Sequence, residues 1–214
     1  VTITSIVRIH DELVFSKLRG AATNLSYDTN SSQSLQEVAK YFPDLNDAGI
    51  AKDLASYFTE WNNFASNTTA GSQKIALVQS AATLSTDLQS TRETIRNLQD
   101  SINTQLKANV DELNSIGQQM ADINKQIATI EADKGNYAND LRDKRDQLEL
   151  TLAKLVDFSV SKGNLFSNNS IDANMTDTGT QYYLNIAGST LVDGSTFHPL
   201  VIDNSSNGSS YYSI

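Results

Sequence analysis

From Leu84 to Ile130 the chain keeps an apolar residue at helical intervals: Leu84, Leu88, Ile95, Leu98, Ile102 and Leu106, then Leu113, Ile116, Met120, Ile123, Ile127 and Ile130. No proline interrupts the run. Such spacing holds one face of an α-helix apolar over many turns. It predicts one helix over residues 72–133, about 90 Å long at ~1.5 Å per residue. Two successive steps of four at Leu98, Ile102 and Leu106 form a stutter that locally relaxes a left-handed supercoil. A seam of this length reads equally as the interior of an intramolecular bundle and as an assembly surface between subunits of a filament.

The rest of the chain supplies partners for that seam. Val1, Ile3 and Ile6 alternate and predict a short strand, after which Ile9 and Leu13 open a helical spacing over residues 9–42. The polar stretch from Thr23 to Ser34 makes a break there as defensible as continuity, and Pro43 ends the helix. A second helix over residues 47–66 starts at a cap from Asn46 or Asp47 and carries Ile50, Leu54, Phe58, Trp61 and Ala65 along one stripe. Gly135 is placed to terminate the long helix in a left-handed conformation. A fourth helix over residues 139–156 turns Leu141, Leu148, Leu152 and Leu155 one way, and its short connection favours antiparallel packing on the long helix. Residues 1–157 are thus expected to form an elongated antiparallel helical rod, with the uncovered seam met by the first two helices or by segments outside this sequence.

Near residue 158 the composition shifts to Ser, Asn, Gly and aromatics. Phe158 and Val160 alternate, as do Tyr182, Leu184 and Ile186, while Gly188 and Asp193-Gly194 supply turns. Further strands are expected at His198–Ile202 and Tyr211–Ile214. Residues 158–214 read as a smaller, incomplete β-rich domain, so the fold class is mainly α with a β-rich domain. The Val1 start, without an initiator Met or signal peptide, reads as the start of an excised middle segment.

Charge and composition exclude several functions. Sixteen basic residues against 25 acidic ones give a net charge of −9, which argues against nucleic acid and against an anionic membrane surface. There is no cysteine, so thiolate chemistry and disulfides are absent. No apolar run approaches the roughly 20 residues of a membrane span, so membrane insertion is not expected.

The residues available for chemistry are His10, His198 and the carboxylates Asp140, Asp143, Asp146 and Glu149. They form no motif, so no catalytic, cofactor-binding or metal-ligating residue is assigned and no cofactor is expected. His10, beside Asp11, reads as a surface or capping residue at a helix start, and His198 as a loop residue. The four carboxylates recur three apart and could in principle surround a hard cation. Arg142, Lys144 and Arg145 interleave with them, which favours a solvated, salt-bridged face. Arg145 occupies a position where the stripe of Leu141, Leu148 and Leu152 calls for an apolar side chain. It is expected to be an interfacial arginine that fixes helix register against a carboxylate of a neighbouring helix. Trp61 reads as core, with a partner-binding hot spot as the minority alternative. Asn-x-Ser/Thr triplets at Asn24, Asn30, Asn67, Asn174, Asn204 and Asn207 are what chance delivers in a chain rich in these residues.

Several segments, taken in order, resemble a known family. RIHDELVFSKLR at Arg8 to Arg19, LASYFTEWNNFASN at Leu54 to Asn67, DLRDKRDQLELTLAKLVDFSV at Asp140 to Val160, and LVDG at Leu191 to Gly194 are similar to the hook-associated protein 1 family of bacterial flagella. The long polar helix containing IGQQMADINKQI is similar as well. The resemblance covers most of residues 1 to about 195 and implies a flagellin-like helical core in a structural, non-enzymatic component of the hook–filament junction. It implies export through the flagellar type III apparatus without a cleaved signal, an extracellular location on the flagellum, and self-association in a ring. Implied partners are the hook protein, hook-associated protein 3, and the export apparatus and a chaperone through terminal segments outside this sequence. Alternatives are another axial protein, flagellin or hook-associated protein 3, and an adhesin-like binding module on a helical stalk. An enzyme would require His10 and His198 to converge.

Overall fold

The computed structural model describes residues 8–40, 48–132, 136–162 and 181–203. The expected strand before Ile9, the stops at Pro43 and Gly135 and the strand Tyr211–Ile214 lie outside them. Among the described residues there are four helices, α1 Glu12–Ala39, α2 Ile50–Ser66, α3 Gly71–Ile130 and α4 Asn139–Leu152, and four strands, β1 Ser159–Lys162, β2 Tyr182–Ile186, β3 Ser189–Asp193 and β4 Thr196–Phe197. Mainly α with a small antiparallel sheet is therefore the observed class, as expected.

Local chemistry explains the helix limits. Asp11 caps α1 by accepting the Val14 backbone N–H at 3.0 Å, the bond that a short acidic side chain supplies to an orphan donor. The polar stretch after Thr23 does not break α1. Instead Thr23 and Thr29 turn their hydroxyls back onto the carbonyls of Arg19 and Leu25, at 3.2 and 2.7 Å, and so satisfy themselves within the helix. The second helix starts later than expected, with Gly49 rather than Asn46 or Asp47 as its N-cap and no capping side chain.

The chain divides into two compact units, one of Asn30–Thr104 and one of Val1–Thr29 with Gln105–Ile214. The division does not follow the composition break at residue 158, because the sheet shares its core with the helices. In the larger unit the strands lie in the order β1-β2-β3-β4, each neighbour antiparallel. Alternation along β2 sends Tyr182, Leu184 and Ile186 inward, where with Leu191 and Val192 they meet Leu113, Ile116 and Met120 of α3 and Leu152 of α4. Full burial of side chains such as Met120, Leu152 and Leu184 contributes ~1.5–3 kcal/mol each, so this cluster is the main source of cohesion in the unit. Beyond it Ile123 and Ile127 pack on Ala138, Leu141 and Leu148. Asn124 meets Arg145 while Glu131 meets Arg142, so α4 runs antiparallel to α3 as its short connection implied.

Three α3 residues receive the β-strands and the loop that follows them. A Cβ at Gly117 would lie 2.8 Å from the Phe197 ring and 3.1 Å from Leu191, so glycine lets that ring lie against the helix. Asn124 donates to the Gly194 carbonyl at 2.7 Å. Asn114 holds Leu200 twice, donating to its carbonyl at 2.9 Å and accepting its N–H at 2.8 Å. That clasp accounts for a correction: His198 to Ile202 is a loop pinned to α3, not a strand.

In the smaller unit the apolar stripes are only partly covered. Trp61, expected in a core, is 50% exposed, Phe58 is 56% exposed, and Ile102 on the α3 seam is 52% exposed. The seam is thus two surfaces: Leu113 to Ile127 is interior, whereas Leu88, Ile95 and Ile102 are open.

The β2–β3 turn has two residues, Ala187 at φ 49° and Gly188 at φ 86°. A type I′ turn needs both in the left-handed region, where a Cβ costs about 1 kcal/mol. Ala187→Asn, which creates the preferred Asn-Gly pair, is expected to stabilise the protein by roughly 0.5–1 kcal/mol, measured as a higher urea midpoint at unchanged slope.

Candidate functional site

The densest polar assembly in the larger unit is built on α4. Residues three apart on a helix share a face, so Asp143, Asp146 and Glu149 project together. Towards them come Arg8, His10, Glu12 and Arg19 from the N-terminal segment and Lys162 from β1. Arg8 donates to Asp143 Oδ1 at 2.5 Å and to Asp146 Oδ2 at 2.6 Å. Arg19 bonds Glu149 and, at 3.1 Å, Glu12. Lys162 donates to Glu12 Oε2 at 2.8 Å, and its ammonium is 3.5 Å from Glu149 Oε1. Phe15 lies beneath both cations, 5.4 Å from the Arg19 guanidinium and 5.6 Å from the Lys162 ammonium.

Glu149 is the hub. Its side chain is wholly buried, and the Tyr182 hydroxyl donates to its Oε1 at 3.0 Å. Burial, and next the charge of Glu149, push the Tyr182 phenol well above its ordinary range, so it stays a neutral donor. For Glu12 burial acts upward but is outweighed by hydrogen bonds from His10 and Lys162 and by the charges of Lys162 and Arg19, leaving its pKa lowered to about 2.

This geometry corrects the solvated reading of the α4 face. Asp140, Asp143 and Lys144 are exposed, but Arg142, Arg145, Asp146 and Glu149 are buried. Arg142 donates to Glu131 through Nε at 2.9 Å and Nη2 at 2.6 Å, and Glu131 also accepts the Ala138 N–H at 3.0 Å, which ties α4 to the end of α3. Arg145 is interfacial as expected: it donates to the Asn124 amide oxygen of α3 at 2.9 Å, and its guanidinium stacks 4.5 Å from the Tyr182 ring centre. His10 is not a surface residue. Its ring lies 3.1 Å from Glu12 Oε2 and 3.3 Å from Asp146 Oδ2 and packs on Phe15. His198 is in the loop after β4, its backbone bonded to Leu191, and shares none of those partners.

Each charge in this assembly is met by an opposite charge or a hydrogen bond, and among the described residues no three His, Asp or Glu side chains could hold a metal ion. Such an arrangement holds segments together. It clamps the start of α1 to α4 and β1.

The smaller unit offers a groove of about 490 Å³ between α2 and α3, walled by Tyr57, Leu84, Leu88 and Arg92. Its surroundings are apolar and open, with Phe58 and Trp61 on α2 and Ile95 on α3 exposed nearby in sequence.

Two substitutions test the clamp. Glu149→Gln keeps an acceptor for Tyr182 but removes the charge opposite Arg19, and a loss of about 3 kcal/mol is expected in denaturant titrations. Glu12→Gln should cost less, roughly 1 kcal/mol, because Glu12 is partly exposed. The lowered pKa of Glu12 means its contribution is present above the unfolded value near 4.5 and is lost as pH falls towards 2. The gap between wild type and Glu12→Gln should therefore close over that interval.

Comparison with known proteins agrees with this architecture. Residues 35–214 match the model of the flagellar hook-associated protein FlgK helical domain. Hook-associated protein 1 of Salmonella typhimurium is 29% identical over 202 residues, 94% of this chain and 34% of that protein. The Bacillus subtilis protein of the same name is 26% identical over 73% of this chain and 31% of its own length. Among solved structures, the flagellar hook junction protein FlgK from Burkholderia pseudomallei superposes with a TM-score of 0.66 at 26% identity, covering 87% of this chain and 30% of that one. The chain thus spans about a third of the length of these relatives. It belongs to the flagellar hook-associated protein FlgK family.

Proposed function

We propose that the protein containing this chain is a structural subunit of the bacterial flagellum that joins hook to filament by packing against copies of itself and against neighbouring axial subunits. The observation that carries this reading is the set of exposed apolar side chains in the smaller unit, Leu54, Phe58 and Trp61 on α2 and Ile95 and Ile102 on α3, in a chain of this family. Large apolar side chains left in water along a helix mark surface for association, and aromatic residues are the usual anchors. The clamp in the larger unit serves such a role by holding its segments in one geometry.

The proposed partners are further copies of the protein in a ring, the hook protein and hook-associated protein 3. The export apparatus and a chaperone would engage terminal segments outside this sequence. The site of action is extracellular, on the flagellum, after export without a cleaved signal. Among the described residues no helix is long and apolar enough to cross a membrane, and the net charge of −9 disfavours nucleic acid. The role needs no catalysis.

The test uses the full-length protein in its own bacterium. Antibody against this chain should decorate a narrow band between hook and filament in electron micrographs; label along the filament, or none on flagella, would overturn the reading. The double variant Phe58→Asp, Trp61→Asp should lose the band and shed filaments while keeping its helical circular dichroism; because both rings contact Tyr57 and are about half buried, it should also lose roughly 1–2 kcal/mol of stability.

A further inference from the structure

Both nitrogens of one imidazole in the clamp face carboxylate oxygens. His10 Nε2 lies 3.1 Å from Oε2 of Glu12 on α1, and His10 Nδ1 lies 3.3 Å from Oδ2 of Asp146 on α4. The His10 side chain is 11% exposed and its ring packs on Phe15 with centroids 5.1 Å apart, so little of the ring is left for water. An ionised carboxylate only accepts hydrogen bonds, and a neutral imidazole has one N–H to give. In either neutral tautomer one ring nitrogen would turn its lone pair towards an oxygen within hydrogen-bonding range. Glu12, with its pKa lowered to about 2, holds no proton at neutral pH to repair that contact. Only the imidazolium donates to both partners.

The other charges around His10 act against such a proton. Arg8 shares Asp146 Oδ2 with it at 2.6 Å, Lys162 of β1 shares Glu12 Oε2 at 2.8 Å and stands 3.6 Å from Asp146 Oδ1, and Arg19 reaches Glu12 Oε1 at 3.1 Å. These cations meet His10 across a shared carboxylate, whereas the two carboxylates meet it directly, and Coulomb energy falls with separation. Arg8, Arg19 and Lys162 are further drawn off by Asp143 and Glu149. We propose that the clamp closes with a proton bound on His10, which bridges the start of α1 to α4 as an imidazolium and makes that contact sensitive to pH. A proton taken up on closure stabilises the closed form below the ordinary histidine value, about 6.5, and its contribution fades as pH rises above it. This is the reverse of Glu12, whose contribution is present above 4.5. The contact is therefore firmest between those two values. Loss of the His10 proton leaves Arg19 and Lys162 on Glu149, so alkaline pH loosens the turn beside His10 and not the hub. Two amides report on that turn: Val14 N–H donates to the Asp11 carboxylate at 3.0 Å and Phe15 N–H to the Asp11 carbonyl at 2.9 Å. None of this depends on how the protein assembles.

The experiment uses the full 214-residue protein. At about pH 7.5 a histidine with the ordinary value is about nine-tenths neutral, so two-bond proton–nitrogen correlation NMR at that pH separates the two states. Both ring nitrogens of His10 are expected at imidazolium positions. Denaturant titrations from about pH 6 to about pH 8.5 then compare wild type with His10→Gln, which keeps a donor but cannot bind the proton. The folding constant of wild type relative to the variant should fall severalfold over that range, since a pH unit is worth up to about tenfold for one linked proton. His198 is common to both proteins and cancels from the difference. Amide exchange at Val14 and Phe15, corrected for intrinsic rates, should quicken over the same range in wild type alone. A His10 ring with one unprotonated nitrogen at pH 7.5, or a difference between wild type and His10→Gln that does not change with pH, would each overturn the proposal. The NMR measurement needs no variant and decides the matter even if His10→Gln fails to fold.

Discussion

The larger unit depends on the burial of Glu149. A carboxylate with no exposed surface is tolerated only when it is paired and hydrogen-bonded, and its partners come from three separate elements: Arg19 on α1, Tyr182 on β2 and Lys162 on β1. Each must be in place for the others to be stable, so the charge couples the N-terminal segment, α4 and the sheet. Replacing such a network by apolar residues of similar volume is often neutral in stability, whereas breaking one member of it is costly. What a network of this kind adds to an apolar core is geometry: Leu184 or Met120 could pack in several registers, but Glu149 accepts from these donors in one.

The apolar core and the polar clamp divide the work on α3. Leu113, Ile116 and Met120 receive the sheet, while Asn114 and Asn124 bind main-chain groups of the β region at Leu200 and Gly194. A helix can hold a loop in this way only if its own side chains supply the missing hydrogen bonds. Further towards the N-terminus the same seam, at Leu88, Ile95 and Ile102, is left open. The contrast within one continuous helix is between apolar residues covered by their own chain and apolar residues left exposed.

Much of the architecture was legible because periodicity is local. The 3.6-residue pattern of α3, the short link to an antiparallel α4 and the alternation of Tyr182, Leu184 and Ile186 each depend on neighbours in sequence, and each took the expected form. The His198 to Ile202 segment misled because alternation and β propensity describe a strand's side chains but not whether a partner strand exists. There the Asn114 side chain took the backbone groups instead. Trp61 misled because a stripe on a helix signals an apolar face without saying what covers it.

The clamp was the least legible part, for the same physical reason. Asp143, Asp146 and Glu149, interleaved with arginines, satisfy the pattern of a solvated face, and only cations more than a hundred residues distant in sequence, Arg8 and Arg19, turn part of that face inward. The odd placement of Arg145 in an apolar stripe was the one local signal that this helix carries buried charge. By itself the sequence determined the helices, the β2–β3 turn at Gly188 and the resemblance to its family, since these rest on local backbone preference and ordered motifs. Tertiary structure alone decided which charges are buried, which asparagines bind backbone and which half of the long seam stays open, because burial and pairing belong to residues brought together from distant parts of the chain.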